Sequence, residues 1–331
     1  MRKLKTLLTF IFIIGLIGNG FSQKLNKKLL ETMYYYTQLP TDPLPEEYKS
    51  YILQVNAVND DPNKRDQIHS NFHLAGFEKK RSGSSEFKII IEEYPFTKKR
   101  TKNQHVKTEK KDGVEKKTTY YYYSYEVYYK LVARILDING EELYSTTANM
   151  GSRHRTTDFT SSKPALERAN KEISGIRAKV TEGGAKKLTN MVSDKFGYPK
   201  KHKTLKGYRI KAKKHNYDDF DNAFDIAIEA TGIVIENENN TEQCLKAYKP
   251  ALDIWEDAIL ESDTENKKAR INKNVTCASY YNIGVAYILC KDFDKALENF
   301  ENIIEIDKKF SNTDVLIKYS KNRKLRKEAN K

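Results

Sequence analysis

The chain has 331 residues and a mass of 38.4 kDa, long enough to bury two hydrophobic cores, so we expect two domains. Its formal net charge of +14 favours anionic neighbours such as a membrane surface, a polyanionic glycan or nucleic acid, without choosing among them. Its three cysteines lack the spacing of metal ligands, which argues against a cysteine zinc site.

Residues 1–22 have the pattern of a secretory signal peptide. Three basic residues precede the apolar run "TLLTFIFIIGLIG", and small residues follow at Gly20 and Ser22. The apolar run is shorter than the roughly 18 residues that a transmembrane helix needs, and no cysteine follows it as a lipid attachment point. We therefore predict cleavage after Ser22 and export of the mature protein to the periplasm or cell envelope.

Residues 23–215 show a mixed pattern of strands and helices. "KSYILQVNAV" alternates as a strand, and a helix should begin at Asp61 with Pro62 in its first turn and end near Gly76. A second strand, "EFKIIIEEYPF", leads into a charged stretch that carries Asp112-Gly113. This stretch is typical of the tip of a long hairpin.

The stretch "TTYYYYSYEVYYK" begins a strand whose two faces differ. One face is apolar at every second position and should form core: Tyr121, Tyr123, Tyr125, Val127, Tyr129, Leu131, Ala133 and Ile135. The other face is mixed, and its tyrosines Tyr120, Tyr122 and Tyr128 form a candidate binding patch. Cover by a helix is the favoured alternative for that patch.

The rest of the first domain should contain a hairpin and a long helix. Asn139-Gly140 predicts a type I′ turn, and the helical region after residue 162 should be interrupted at Gly183-Gly184. A last strand is expected at 205–214. The predicted fold class is α+β: an antiparallel sheet with helices packed on one face, followed from residue 217 by an all-α domain.

Residues 278–310 carry a repeating pattern of large and small residues. The pattern consists of Tyr280, Ile283, Gly284, Tyr287, Ala296 and Phe300. This spacing resembles the tetratricopeptide repeat (TPR), a pair of packed helices. Gly284 and Ala296 would let the two helices approach closely, and Asp292 would cap the second helix.

The resemblance extends over residues 217–331, with a degenerate repeat before 278–310 and a capping helix after it. The whole layout resembles exported TPR proteins of Bacteroidota. The resemblance implies a concave groove that binds a peptide or protein segment, with partner-binding residues Ala278, Tyr281, Val285 and Ile288. The sequence leaves open whether this groove is accessible or filled by the helices between 217 and 262.

The three cysteines allow one disulfide at most. Cys277 and Cys290 should lie about 20 Å apart at opposite ends of one helix, so they cannot bridge each other. Any disulfide must therefore join Cys244 to one of them. Buried free thiols are the favoured interpretation.

We find no catalytic constellation, no cofactor motif and no metal motif in the sequence. His69 and His73 are four residues apart, but "HSNFH" lacks the glutamate of a zinc hydrolase. We therefore expect a non-enzymatic scaffold or adaptor that binds a protein partner in the envelope. The alternative is binding of an anionic polymer or membrane surface through the basic loops, and an enzyme of unrecognised type ranks third. Export weighs against nucleic acid as the ligand.

Overall fold

The computed structural model describes residues 24–26, 32–211, 215–236 and 241–331. The predicted signal peptide, 1–22, and its cleavage position lie outside these residues. The chain divides into two compact units, a sheet unit of Gln38–Pro199 and a helical unit of Lys200–Ala329 with the described residues up to Thr37. This division lies before the boundary expected at 215–217, because residues 200–211 pair with the described strands at the start of the chain and belong with them to the helical unit.

The described residues form ten strands and seven α-helices. Strands β1 to β10 span Lys24–Asn26, Thr32–Thr37, Ser50–Asn56, Glu78–Lys80, Phe87–Glu93, Thr97–Lys111, Val114–Asp137, Glu142–Arg155, Lys200–Leu205 and Arg209–Lys211. Helices α1 to α7 span Pro62–Asn71, Ser162–Lys195, Asp218–Glu236, Thr241–Leu260, Lys273–Leu289, Phe293–Ile306 and Thr313–Ala329.

The sheet unit is built on one six-stranded sheet. Its strand order is β4-β3-β5-β7-β6, and β8 pairs with β7. The predicted α+β class is confirmed, but the sheet is mixed and not wholly antiparallel, because β3 runs parallel to both β4 and β5. The parallel pairing follows from α1, which carries the chain back to the starting edge after β3.

Helix α2 packs on the face of β7 that was predicted to be core. Tyr123 to Ile135 are buried at alternate positions, as predicted, whereas Tyr121 at the start of the predicted face is only half-buried. The predicted interruption at Gly183-Gly184 is wrong, since α2 is continuous through both residues. A Cβ at Gly184 would lie 3.2 Å from the Tyr129 ring, so glycine serves here for close approach to the sheet and not to break the helix.

The turns of the sheet unit differ from one another in type. Asp112 and Gly113 have φ values of 52° and 80°, so the predicted hairpin tip is confirmed. The type I′ turn predicted at Asn139-Gly140 is wrong, because only Gly140 has a positive φ. Asp137 stabilises that loop by accepting hydrogen bonds from the Asn139 and Glu141 backbone N–H groups.

Helix α1 begins at the position that the sequence predicted. Asp61 accepts hydrogen bonds from the Asn63 and Lys64 N–H groups, with Pro62 in the first turn, so the predicted start is confirmed. The helix ends at Asn71, before Gly76.

In the helical unit, each helix from α3 to α7 packs on the next. The first strands of the chain belong to this unit, since β1 pairs antiparallel with β10 and β2 with β9. A disulfide joins Cys244 of α4 to Cys290 at the end of α5, so the expectation of free thiols is wrong for these two cysteines. Cys277 is free and buried, and burial raises the pKa of its thiol to about 12.

Candidate functional site

The helix pair α5–α6 closes around the small residues that define the predicted repeat. A Cβ at Gly284 would lie 2.6 Å from Phe300 Cε1, which is closer than real Cβ contacts, so only glycine fits there. Ala296 and Phe300 are fully buried, and Asp292 caps α6 by accepting a hydrogen bond from the Lys295 N–H. The packing predicted for residues 278–310 is confirmed.

The predicted partner-binding residues on α5 are not accessible. Ala278 and Ile288 are fully buried, and Tyr281 and Val285 are 6% and 4% exposed. All four belong to the hydrophobic core of the helical unit. A partner therefore cannot reach these side chains in this conformation.

An extended segment of the protein's own chain occupies this face of α5. The ring of Tyr208 lies 4.9 Å from the Tyr281 ring and 5.2 Å from the Phe310 ring. The amide of Asn282 binds the backbone of Tyr208 twice, since its Oδ1 accepts from the N–H at 2.7 Å and its Nδ2 donates to the carbonyl at 2.8 Å. The groove is thus filled, with the segment before β10 as an occupant, whereas the sequence pointed only to the helices between 217 and 262.

Sequence reasoning did not find the role of Asn282. The only available signal was its polarity within the apolar run "YYNIGVAYIL". Asn282 is 2% exposed, and a buried amide of this kind requires hydrogen-bond partners. The backbone of Tyr208 supplies them.

The second candidate patch lies on the sheet face opposite α2. Tyr128 is 56% exposed, so the favoured alternative of helix cover does not hold there. Tyr120 and Tyr122 are half-buried by neighbours on the same face: the His105 ring stacks on Tyr120 at 5.6 Å, and the Arg155 guanidinium lies 3.9 Å from the Tyr122 ring centroid. The three tyrosines share a face but do not form one aromatic platform.

Both cations and carboxylates surround the patch, and Glu126 on the same face pairs with Arg153 at 3.2 Å. Arg155 donates to Asp158 at 2.7 Å, and His105 Nε2 lies 3.5 Å from the same carboxylate. The hairpin from 97 to 119 carries nine lysine and arginine residues against three acidic ones, and most of them are exposed. These cations lie on both faces of the hairpin, and the hairpin as a whole is therefore suited to an anionic ligand.

The sheet unit also contains a cavity that the sequence did not indicate. Its volume is about 480 Å³, within the usual range of small-ligand sites. Helices α1 and α2 and the start of β6 line it with Asp61, Lys64, Gln67, Phe96, Lys98, Ile173, Ser174, Arg177, Ala178 and Thr181. Because these residues come from three distant segments, no local pattern could have predicted the cavity.

Buried polar groups lie directly behind the cavity wall. Glu93 is 8% exposed, accepts a hydrogen bond from the Val58 N–H at 2.8 Å and pairs with Lys64 at 3.4 Å. The Tyr129 hydroxyl lies beside Glu93 and Thr181 without a hydrogen bond of standard geometry, and burial raises the pKa of Tyr129. The polar cluster is thus incompletely hydrogen-bonded at this point.

Within the part of the chain that the structure describes, no group of three or more His, Cys, Asp or Glu side chains could hold a metal ion. No helix in the same ranges is both long enough and apolar enough to cross a membrane.

Comparison with known proteins gives a match to one sequence family and likenesses to several solved structures. Residues 277–310 match the tetratricopeptide repeat family. No curated protein matches the sequence. A solved structure with some similarity is a minor lipoprotein from Acinetobacter baumannii, 13% identical, covering 45% of this chain and 93% of its own, with a TM-score of 0.27. A score that low does not establish a shared fold.

Proposed function

We propose that the protein is a non-enzymatic interaction protein of the cell envelope, exported by its N-terminal signal and acting as a scaffold or adaptor for a protein partner. The observation that carries the proposal is the repeat at 277–310, which matches the TPR family and packs as a closed helix pair. TPR units serve other proteins as surfaces for protein contacts. The partner surface in this proposal is the outside of the helical unit, because the groove face of α5 is filled.

Two observations support export. The first 22 residues have the composition of a signal peptide. The Cys244–Cys290 disulfide suits a protein that matures in an oxidising compartment. The resemblance of the layout to exported TPR proteins of Bacteroidota agrees with both.

Photo-crosslinking from chosen surface positions tests the proposal. A crosslinking amino acid is placed at Leu260 or Val315, which are 86% and 45% exposed in the helical unit. Leu143, 43% exposed in the sheet unit, serves as the matched control. In intact cells we expect a discrete protein adduct from at least one helical position and none from Leu143.

The same experiment can contradict the proposal. Absence of a protein adduct from both helical positions, or the same adducts from all three, would show that the helical unit is not a specific docking surface. Fractionation of the cells in parallel tests export, since a protein found only in the cytoplasm would contradict the location.

A second candidate function is binding of an anionic envelope polymer or membrane surface. The excess of cations on the exposed hairpin and the cation-lined tyrosine patch favour it. Such binding should weaken steeply with salt, whereas docking of an apolar protein surface should hardly respond.

Binding to dextran sulfate and to phosphatidylglycerol vesicles, measured from low to high salt, tests this candidate. One variant replaces four hairpin lysines by glutamine: Lys107, Lys110, Lys116 and Lys117. The matched control replaces four lysines of α7: Lys318, Lys321, Lys324 and Lys327. Loss of binding in the hairpin variant alone would support binding of an anionic polymer or membrane through the hairpin. Equal loss in both variants would contradict it, because binding would then depend only on net charge.

A further inference from the structure

The cavity between α1, α2 and β6 contains positive charge that the protein does not neutralise. Lys64 is paired with Glu93. Lys98 and Arg177 have no acidic partner among the described residues, and Arg177 instead lies over the Phe96 ring at 5.4 Å. Asp61 is the only acidic lining residue, and its carboxylate caps α1. The cavity is therefore cationic.

The cavity also has an apolar wall and a polar floor. Phe96 and Ile173 supply apolar surface. Thr181, which is 1% exposed, supplies a polar side chain to the lining and lies beside the buried hydroxyl of Tyr129.

We infer that this cavity binds a small organic anion, whose carboxylate or phosphate lies between Arg177 and Lys98 and whose apolar part lies against Phe96 and Ile173. Arg177 provides a planar set of donors that suits either head group. The volume accommodates a molecule of about ten non-hydrogen atoms, and a ligand of that size binds with a Kd on the order of 0.1–1 mM. The inference concerns the sheet unit alone and does not depend on the protein-docking function.

Isothermal titration of the full mature chain tests the inference. The anionic probes are benzoate and phenyl phosphate, and benzyl alcohol is the neutral control. We expect at least one anion to bind saturably, and benzyl alcohol to bind at least tenfold more weakly. The anion that binds shows whether the head group is a carboxylate or a phosphate.

Three glutamine variants locate the binding. Lys98 shares the face of β6 that carries the cavity, and the adjacent Lys99 points to the opposite face, so Lys99→Gln is the matched control for Lys98→Gln. We expect Arg177→Gln to weaken binding about tenfold or more, Lys98→Gln to weaken it severalfold, and Lys99→Gln to leave it unchanged. All three positions are exposed, so the variants should fold.

Two results would overturn the inference. The first is that neither anion binds saturably to the wild-type chain. The second is that Arg177→Gln and Lys98→Gln bind as the Lys99→Gln control does, which would mean that the anions are attracted only by the general surface charge.

Discussion

Replacement of Gly284 by alanine tests the close packing of α5 on α6. The added Cβ would lie 2.6 Å, 2.7 Å and 3.0 Å from three atoms of the Phe300 ring. Phe300 is fully buried and its ring lies 5.9 Å from that of Tyr281, so the ring has little room to move. Overpacking of this kind costs about 1–3 kcal/mol, while the higher helix propensity of alanine returns about 1 kcal/mol. We expect a net loss of up to about 2 kcal/mol in the free energy of unfolding.

The assay is urea unfolding followed by tryptophan fluorescence. Trp255 is the only tryptophan, and it lies 1% exposed in the core that contains Phe300, so its signal reports on the helical unit. Gly232→Ala is the matched control, because Gly232 lies within α3 with no heavy atom within 4 Å of the added Cβ. We expect Gly232→Ala to raise the unfolding midpoint by a few tenths of a molar and Gly284→Ala to lower it by up to about 1 M.

A double variant connects the loss to Phe300. In a Phe300→Leu background, which removes the obstructing ring atoms, Gly284→Ala should cost much less than it does in the wild type. If Gly284→Ala raised the midpoint as Gly232→Ala does, or if its cost were unchanged by Phe300→Leu, the close approach of the two helices would be refuted.

The remaining predictions concern the cysteines and one carboxylate. The disulfide closes a loop with a sequence separation of 46, so Cys244→Ser should lower the stability of the helical unit by up to about 4 kcal/mol in the same fluorescence assay. Cys290→Ser should have an equal effect. A double variant that lost clearly more stability than either single variant would contradict the pairing. Cys277 is buried, and its thiol has a pKa of about 12. Ellman's reagent at pH 8 should therefore find no thiol in the native protein and one thiol per chain after denaturation without reductant. A count of three thiols after denaturation would exclude the disulfide. Hydrogen bonds from Ser50 lower the pKa of Glu86 to about 2, so their contribution to stability should be complete above about pH 4.5 and should be lost as the pH falls toward 2. An NMR titration should show that Ser50→Ala raises the pKa of Glu86, and an unchanged value would contradict this cause.

The sequence predicted best those features whose causes are local. The alternation from Tyr121 to Ile135 repeats at the period of a strand, so the buried face of β7 could be identified before the sheet was known. Gly284 and Ala296 lie at the spacing at which two consecutive helices meet, and Asp112-Gly113 suits the positive φ values of a tight turn. In each case the residues that determine the structure lie within a few turns or strand positions of one another.

The features that were missed depend on residues far apart in the sequence. Gly183 and Gly184 have the local character of a helix break, but contact with Tyr129 and Met150 from the sheet gives them another role. The groove of α5 was predicted from the repeat alone, and its occupant at Tyr208 comes from a strand segment that carries no repeat pattern. The disulfide could be predicted only from the packing of α4 on α5, which the spacing of the cysteines in the sequence does not reveal.

The pairing of the first strands with the last ones sets an order for biosynthesis. Thr32 pairs with Leu205, and Lys24 pairs with Lys211, so the partner of β2 is complete only at residue 205 and the partner of β1 only at residue 211. The sheet unit, by contrast, is one continuous stretch of chain and can fold as soon as it has emerged. The leading segment of a chain that folds during its synthesis would thus stay without strand partners until after the sheet unit has been made, because those partners follow the sheet unit in the sequence.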